Sequence, residues 1–325
     1  MKVLITCPKL IQNLDKYGKL LEENNITYFA PRVIQQLPIE DLLKYVPEHD
    51  GWIAGDDPAN REILTAGRKG KLRALVKWGV GIDNVDQDAC KDLGVQFTNT
   101  PGVFGNEVAD VAMGYLINLS RQLHVTDREV RKGKWLNIRG FSLTGKDALV
   151  IGFGDIGHNV VERLQAAKVN VSVYDPYYVE TKEGQYFNKD RKIVRTYERM
   201  KLVKLEEGLS NADIVIVTCE LNNTSHHIIN EKTLGLMKDN ACMINVARGG
   251  LVDIKAVMNA MSNGKLKRGY AADVFEVEPY STEFELMAYS NCMLGTHNAS
   301  NTTEGVHRTS VKAISYMVAF LGNIN

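Results

Sequence analysis

The stretch Val150-Ile151-Gly152-Phe153-Gly154-Asp155-Ile156-Gly157 decides the fold of this 325-residue chain. An apolar run meets a glycine turn and then a helical pattern, and a second apolar run ends at Val173-Tyr174-Asp175. Strand, turn, helix, strand and terminal acid is the order of parts that holds a dinucleotide. Gly152 permits the tight turn, Gly154 lets the backbone approach a pyrophosphate, and Gly157 lets the helix pack close to the strand. The helix start at Asp155 and Ile156 offers free N–H groups and the positive end of its dipole. Asp175 stands 18 residues after Gly157, near the ~20 expected for an acid that accepts from the adenosine ribose hydroxyls. A carboxylate there repels a 2′-phosphate, so the pattern predicts NAD rather than NADP.

Outward from this stretch, short β-branched runs alternate with helix-length segments. The first series occupies residues 3–6, 26–30, 52–54, 74–78 and 95–98. The second occupies 148–152, 169–174, 213–219, 241–246, 269–274 and 292–294. Such alternation means βαβ units and parallel sheets, so two doubly wound α/β domains are expected. Val108, Val111, Ala112, Tyr115, Leu116 and Leu119 recur at helical spacing and mark a linking helix over 106–123. Residues 131–140, with Trp135 and several basic residues, fit neither series and read as an arm for a second subunit. Val306, Ile314, Met317, Val318 and Leu321 mark a final helix.

Lys+Arg and Asp+Glu are both 39. Zero net charge argues against a nucleic-acid partner, and the basic run 68–73 reads as a solvated face. Cys7, Cys90, Cys219, Cys242 and Cys292 are scattered without a C-x-x-C pair, the pattern of reduced cytoplasmic thiols. The apolar start at 3–6 is too short for a signal peptide and reads as a buried strand; no run is long enough to span a membrane. His226-His227 are adjacent, poor spacing for one ion on a strand or helix. They read as a solvated turn, and no metal is expected.

Open parallel sheets take ligands at the carboxyl ends of their strands. Arg248 follows Asn245-Val246-Ala247, Glu278 lies just past Ala272-Asp273-Val274-Phe275, and His297 follows Met293-Leu294-Gly295-Thr296. An arginine grips a carboxylate with two parallel hydrogen bonds and polarises an adjacent carbonyl. A histidine exchanges the proton of an alcohol–ketone interconversion, and a neighbouring carboxylate fixes its tautomer. With a nicotinamide, these parts suit hydride transfer between a 2-hydroxy acid and a 2-oxo acid.

Nearly the whole chain resembles the D-isomer-specific 2-hydroxyacid dehydrogenase family, most of all its D-3-phosphoglycerate dehydrogenase branch. The matching motifs are Lys77-Trp78-Gly79-Val80-Gly81-Ile82-Asp83-Asn84-Val85-Asp86, Asn99-Thr100-Pro101-Gly102, Leu143-Thr144-Gly145-Lys146, Asn245-Val246-Ala247-Arg248-Gly249-Gly250-Leu251-Val252-Asp253, Asp273-Val274-Phe275-Glu276-Val277-Glu278-Pro279 and Thr296-His297-Asn298-Ala299. The resemblance implies a flavodoxin-like substrate domain, residues 1–100 with 299–325, and a Rossmann-like NAD-binding domain, 101–298. It also implies a homodimer built on an arm at about 105–145 and an active site in the cleft between domains. Arg248 would bind the substrate carboxylate and carbonyl, and His297, paired with Glu278, would be the acid/base. The N–H groups of Val80 and Gly81 would cradle the carboxylate. Asp273 would hold the nicotinamide carboxamide, and the main chain at Cys219 and Ala247 would line the cofactor.

The chain departs from the family pattern at Thr296, where proline is common, at Asp110, where glutamate is, and at Glu220, where proline is. These touch local geometry rather than chemistry. Phosphoglycerate-specific members carry arginines near the loop 55–61, where this chain has Asp56, Asp57 and only Arg61. Lys77, Arg131 and Arg139 are the candidate substitutes. The chain ends at Asn325, so the serine-binding regulatory domain of longer relatives is expected to be absent. Formate dehydrogenases share the fold but place a glutamine where Glu278 stands. Two alternatives to a phosphoglycerate dehydrogenase stay open: a hydroxypyruvate or glyoxylate reductase, and an NAD(H)-sensing interaction protein like the C-terminal-binding corepressors, which keep the triad.

Overall fold

The computed structural model describes residues 1–181, 185–188, 194–197, 200–279 and 285–322. The chain divides into two compact units, Met1–Phe104 with Ser300–Asn325, and Gly105–Ala299.

In the first unit five parallel strands, β1 (Lys2–Ile5), β2 (Thr27–Phe29), β3 (Gly51–Ala54), β4 (Ala74–Lys77) and β5 (Gln96–Thr98), lie in the order β2-β1-β3-β4-β5. This is the flavodoxin-like doubly wound order, and its direction reverses between β1 and β3. Strands buried on both faces must be apolar throughout, and β3 and β4 are buried at every position. The final helix, Thr303–Gly322, packs in this unit. A Cβ on Gly51 would meet the Met317 sulfur at 2.4 Å, so the helix and β3 approach as closely as glycine permits. Trp78 Nε1 donates to Ser310 Oγ at 3.1 Å, and Lys312 Nζ donates to the Pro101 carbonyl at 2.6 Å.

In the second unit, β6 (Asp147–Ile151) and β7 (Asn170–Tyr174) flank the helix Asp155–Ala166. The chain then forms β8 (Tyr178–Glu180), β9 (Gln185–Asn188), β10 (Val194–Thr196) and β11 (Met200–Leu202). It continues through β12 (Ile214–Val217), β13 (Cys242–Asn245), β14 (Tyr270–Ala272) and β15 (Cys292–Leu294). Among the described residues, seven of these form a parallel sheet in the order β11-β7-β6-β12-β13-β14-β15. The order reverses between β6 and β12, which opens the crevice where such sheets take dinucleotides. The helix Gly105–Arg121 buries Val108, Ala112, Tyr115, Leu116 and Leu119 of the stripe that the spacing predicts, while Val111 is half-buried.

The two doubly wound sheets agree with the sequence reading, and each expected run carries a strand. The reading missed the segment from β8 to β11. There β8, β9 and β10 make a small antiparallel sheet, and β11 adds an edge to the large one. Its runs are three or four residues long, too short for a period-2 signal. Its core is aromatic: Phe153, from the glycine turn, sits 5.0 Å from Tyr178 and 5.3 Å from Tyr197 between ring centroids. The helix Leu123–Arg131 ends at the proposed arm, where Trp135 is 90% exposed. Among the described residues no helix is long and apolar enough to cross a membrane.

Candidate active site

The glycine turn has the geometry that the sequence implies. Gly152 adopts φ +96°, and a Cβ there would meet the Cys219 Cα at 2.5 Å across the reversal between β6 and β12. A Cβ on Gly157 would meet the Gly152 carbonyl oxygen at 2.1 Å, so the helix lies against the turn. Gly154 is different: a Cβ there would meet nothing within 4 Å. Close packing at two glycines and open space at the third, beside the helix start at Asp155 and Ile156, fit a pyrophosphate at that helix end. Asp175 closes β7; its Oδ2 accepts from the Phe153 N–H at 2.8 Å and its Oδ1 from the Tyr177 N–H at 2.9 Å. The Asp175 carboxylate is thereby fixed to the turn, with acceptor capacity left on both oxygens. The Cys219 thiol is pushed up to about 12 by burial, so its sulfur is no nucleophile.

The acid/base candidates follow three adjacent strands. After β13, Asn245 is fully buried, and its side chain ties the next turn. Its Oδ1 accepts from the Ala247 N–H at 3.1 Å, and its Nδ2 donates to the Arg248 carbonyl at 2.8 Å. Arg248 itself donates to the Ala247 carbonyl at 2.9 Å. After β14, Glu278 Oε1 accepts from the Phe275 N–H at 2.8 Å, closing a tight loop. After β15, His297 Nδ1 meets Glu278 Oε2 at 2.7 Å. The carboxylate accepts from Nδ1–H, and Nε2 lies outside that pair. His297 sits at φ +52°, a region that non-glycine residues enter only when their surroundings impose it. Here its N–H is held by the Asp273 carbonyl at 2.6 Å.

Asp273, expected to meet the cofactor, is 2% exposed. Its Oδ1 accepts from the Tyr115 hydroxyl at 3.2 Å and its Oδ2 from the Ala299 N–H at 2.8 Å. Its visible work is to orient the segment that carries His297. Burial beside Asp273 raises the Tyr115 hydroxyl, keeping it a donor. Sequence reasoning saw Tyr115 only as core and passed over Asn245. No local pattern marks either partner, since the first contact spans 158 residues.

In the first unit, Lys77 ends β4 with 2% exposure. Its ammonium donates to the Gly55 carbonyl and pairs with Asp56 at 2.8 Å. Asp57 is fully buried: it accepts from the Thr6 hydroxyl, from the Leu37 N–H at 2.8 Å and from the Gly55 N–H at 3.1 Å. Burial pushes its carboxyl above the usual range. Asp57 therefore stitches the ends of β1 and β3 together. Arg61 is spent on Asp92 at 2.9 Å and Asp86 at 3.6 Å, and Arg131 on Asp127 at 2.8 Å. Arg139 is exposed. After β4, Gly79 turns at φ +132° and donates to Thr100 Oγ1 at 2.8 Å, while Asn99 Nδ2 donates to the Val80 carbonyl at 2.7 Å. The N–H groups of Val80 and Gly81 have no acceptor among the described residues.

His226 and His227 lie in a turn, with His226 exposed, as the sequence reading expects. His226, His227 and Glu276 bring one possible ligand atom each to within 4.8 Å of one another. The spacing argument assumed a regular element, whereas His227 lies at φ +49°.

Residues 113–299 match the D-isomer specific 2-hydroxyacid dehydrogenase, NAD binding domain, family. The chain is 30% identical over 295 residues to a hydroxypyruvate reductase from Thermotoga maritima, covering 89% of this chain and 90% of that one. It is 29% identical over 310 residues to a D-3-phosphoglycerate dehydrogenase from Methanocaldococcus jannaschii, covering 94% of this chain and 54% of the relative. A solved protein structure from Thermus thermophilus superimposes with a TM-score of 0.85 at 27% identity, over 99% of this chain and 97% of that one. The glycine turn and the acid/base strand ends thus lie in a matched domain, and the chain belongs to the D-isomer specific 2-hydroxyacid dehydrogenase family, as an NAD-dependent oxidoreductase acting on the CH–OH group of its donor.

Proposed function

We propose that the chain interconverts an unphosphorylated D-2-hydroxy acid and its 2-oxo acid, with Arg248, Glu278 and His297 as the catalytic set. The observation that carries the chemistry is the 2.7 Å contact of His297 Nδ1 with Glu278 Oε2 beside the strand end that bears Arg248. When bound, NADH supplies the hydride. Arg248 holds the substrate carboxylate and polarises the 2-oxo group. His297 Nε2 gives its proton to the oxygen as charge develops there, and Glu278 keeps the ring aimed. Asp273, with Tyr115, holds the His297 segment.

Cofactor choice tests the first part. Asp175→Asn keeps an acceptor for the Phe153 N–H and removes the charge that opposes a 2′-phosphate. The NADH-over-NADPH ratio of kcat/KM is expected to fall about tenfold, the scale of one charge-assisted hydrogen bond. An unchanged ratio removes Asp175 from the ribose site.

The substrate class rests on Lys77. The carboxyl ends of β1 and β3 flank the reversal point of the first sheet, where ligands are expected. The cation there is already neutralised by Asp56, so a phosphate would find no unpaired charge in Lys77. This favours the chemistry in the name of the hydroxypyruvate reductase relative over that of the phosphoglycerate dehydrogenase. Hydroxypyruvate is expected to outperform 3-phosphohydroxypyruvate in an NADH-consumption assay. Asp56→Ser should free Lys77 and shift that preference about tenfold toward the phosphorylated acid, a modest charge effect near a surface. A wild-type preference for the phosphorylated acid sinks this assignment. A homodimer through the exposed arm around Trp135 and a reducing, cytoplasmic setting for the five free cysteines complete the proposal.

A further inference from the structure

The geometry points to a zinc-class divalent cation site formed by His226, His227 and Glu276. Neighbouring side chains point about 100° apart on a helix and to opposite faces on a strand. The left-handed φ of +49° at His227 breaks both patterns, and the two imidazoles stack with centroids 4.0 Å apart and planes 26° apart. Glu276 arrives from 49 residues away: its Oε1 lies 2.5 Å from His227 Nε2.

The backbone beneath these ligands is fixed. The His226 N–H donates to the Asn222 carbonyl at 2.9 Å, and the His227 N–H to the Gly250 carbonyl at 2.9 Å. The His227 carbonyl accepts from Asn230 Nδ2 at 2.8 Å. Asn222 Oδ1 accepts from the Thr224 and Ser225 N–H groups at 2.9 and 3.2 Å, closing the turn just before the histidines. A Cβ on Gly249 would fall 1.9 Å from the Phe275 carbonyl carbon and 2.2 Å from the Glu276 nitrogen, so the loop after β13 is pressed against the loop after β14 that carries Glu276.

Two imidazoles and one carboxylate are the ligand types that zinc takes, with the fourth position left to water. Nickel and copper follow from the same nitrogen donors, whereas magnesium prefers an all-oxygen shell. An ion here would replace the proton shared by His227 and Glu276. It would tie the loop after β12 to the loop after β14, which carries Glu278, beside Arg248. The site is therefore a clamp on the catalytic loops and no part of the hydride transfer.

Isothermal titration of the full chain, stripped of metal with EDTA and titrated with zinc chloride, tests it. One zinc per chain at micromolar affinity is expected. His226→Gln, Glu276→Gln and His227→Asn, the last chosen because asparagine tolerates positive φ, should each weaken binding at least tenfold. Zinc at a hundredfold excess over Kd should raise the wild-type Tm by about 5 °C, and magnesium should not. His226 is exposed, so His226→Gln should fold even where His227→Asn does not. No zinc uptake overturns the assignment, and so does unaltered affinity in the His226→Gln/Glu276→Gln pair, since the metal would then sit elsewhere, on a cysteine for instance.

Discussion

Replacing His297 by glutamine is expected to lower kcat for 2-oxo acid reduction about a thousandfold, roughly 4 kcal/mol of transition-state stabilisation. Glutamine still offers a hydrogen-bond donor, but its amide holds its proton far too tightly to give it to an alkoxide. NADH binding, followed by fluorescence, should stay within a factor of about three, because the glycine turn is built on β6 and β7 while His297 follows β15. Glu278→Gln should cost less, about thirtyfold. It keeps an acceptor for the Phe275 N–H, yet it replaces the carboxylate that meets His297 Nδ1 at 2.7 Å. The two changes should be strongly non-additive, since a carboxylate that acts by aiming a histidine has nothing to aim once the ring is gone. A His297→Gln enzyme within tenfold of the wild-type kcat would mean that another group supplies the proton.

The parts of this site that could be read from sequence are those whose constraint is local. Gly152, Gly154 and Gly157 are legible because a tight turn, an open approach and a close helix each exclude a side chain within one short stretch. Arg248, Glu278 and His297 are legible once their strands are, because each stands a few residues beyond an apolar run. What stayed hidden depends on contacts across the fold. Asn245 looks like the last residue of a strand, yet it is the side chain that shapes the Arg248 turn. Tyr115 looks like one more residue of a buried helical stripe, yet its hydroxyl reaches Asp273. The segment from β8 to β11 packs tyrosines around Phe153, and that purpose has no periodicity to show. His226 and His227 were legible as a turn, but Glu276, 49 residues away, is a neighbour that no local pattern shows. In the first unit the aspartates at 56 and 57 stand out in the sequence as a departure, but only the structure separates them. Asp57 is a buried stitch, and Asp56 is the counter-charge of Lys77.

Arg248 carries the second large effect. Arg248→Ala is expected to lower kcat/KM at least a thousandfold, with losses in both kcat and KM, because in the proposed reaction one guanidinium both binds the carboxylate and polarises the reacting carbonyl. A surface arginine removed at random would cost almost nothing. Arg248→Lys should recover little of the loss: an ammonium is a point charge and cannot make two parallel hydrogen bonds in one plane. Added guanidinium ion should restore part of the activity of the alanine variant and none of that of the lysine variant, whose side chain still occupies the place. This rescue separates a chemical role from a structural one. The turn is held by Asn245 through the Ala247 N–H and the Arg248 carbonyl, both backbone atoms, so truncating the arginine side chain leaves the support of the loop in place. The thermal midpoint of Arg248→Ala should therefore stay within about 2 °C of the wild type. A large fall in midpoint, with activity that guanidinium does not restore, would make Arg248 a structural residue and would leave the 2-oxo group without its electrophilic partner.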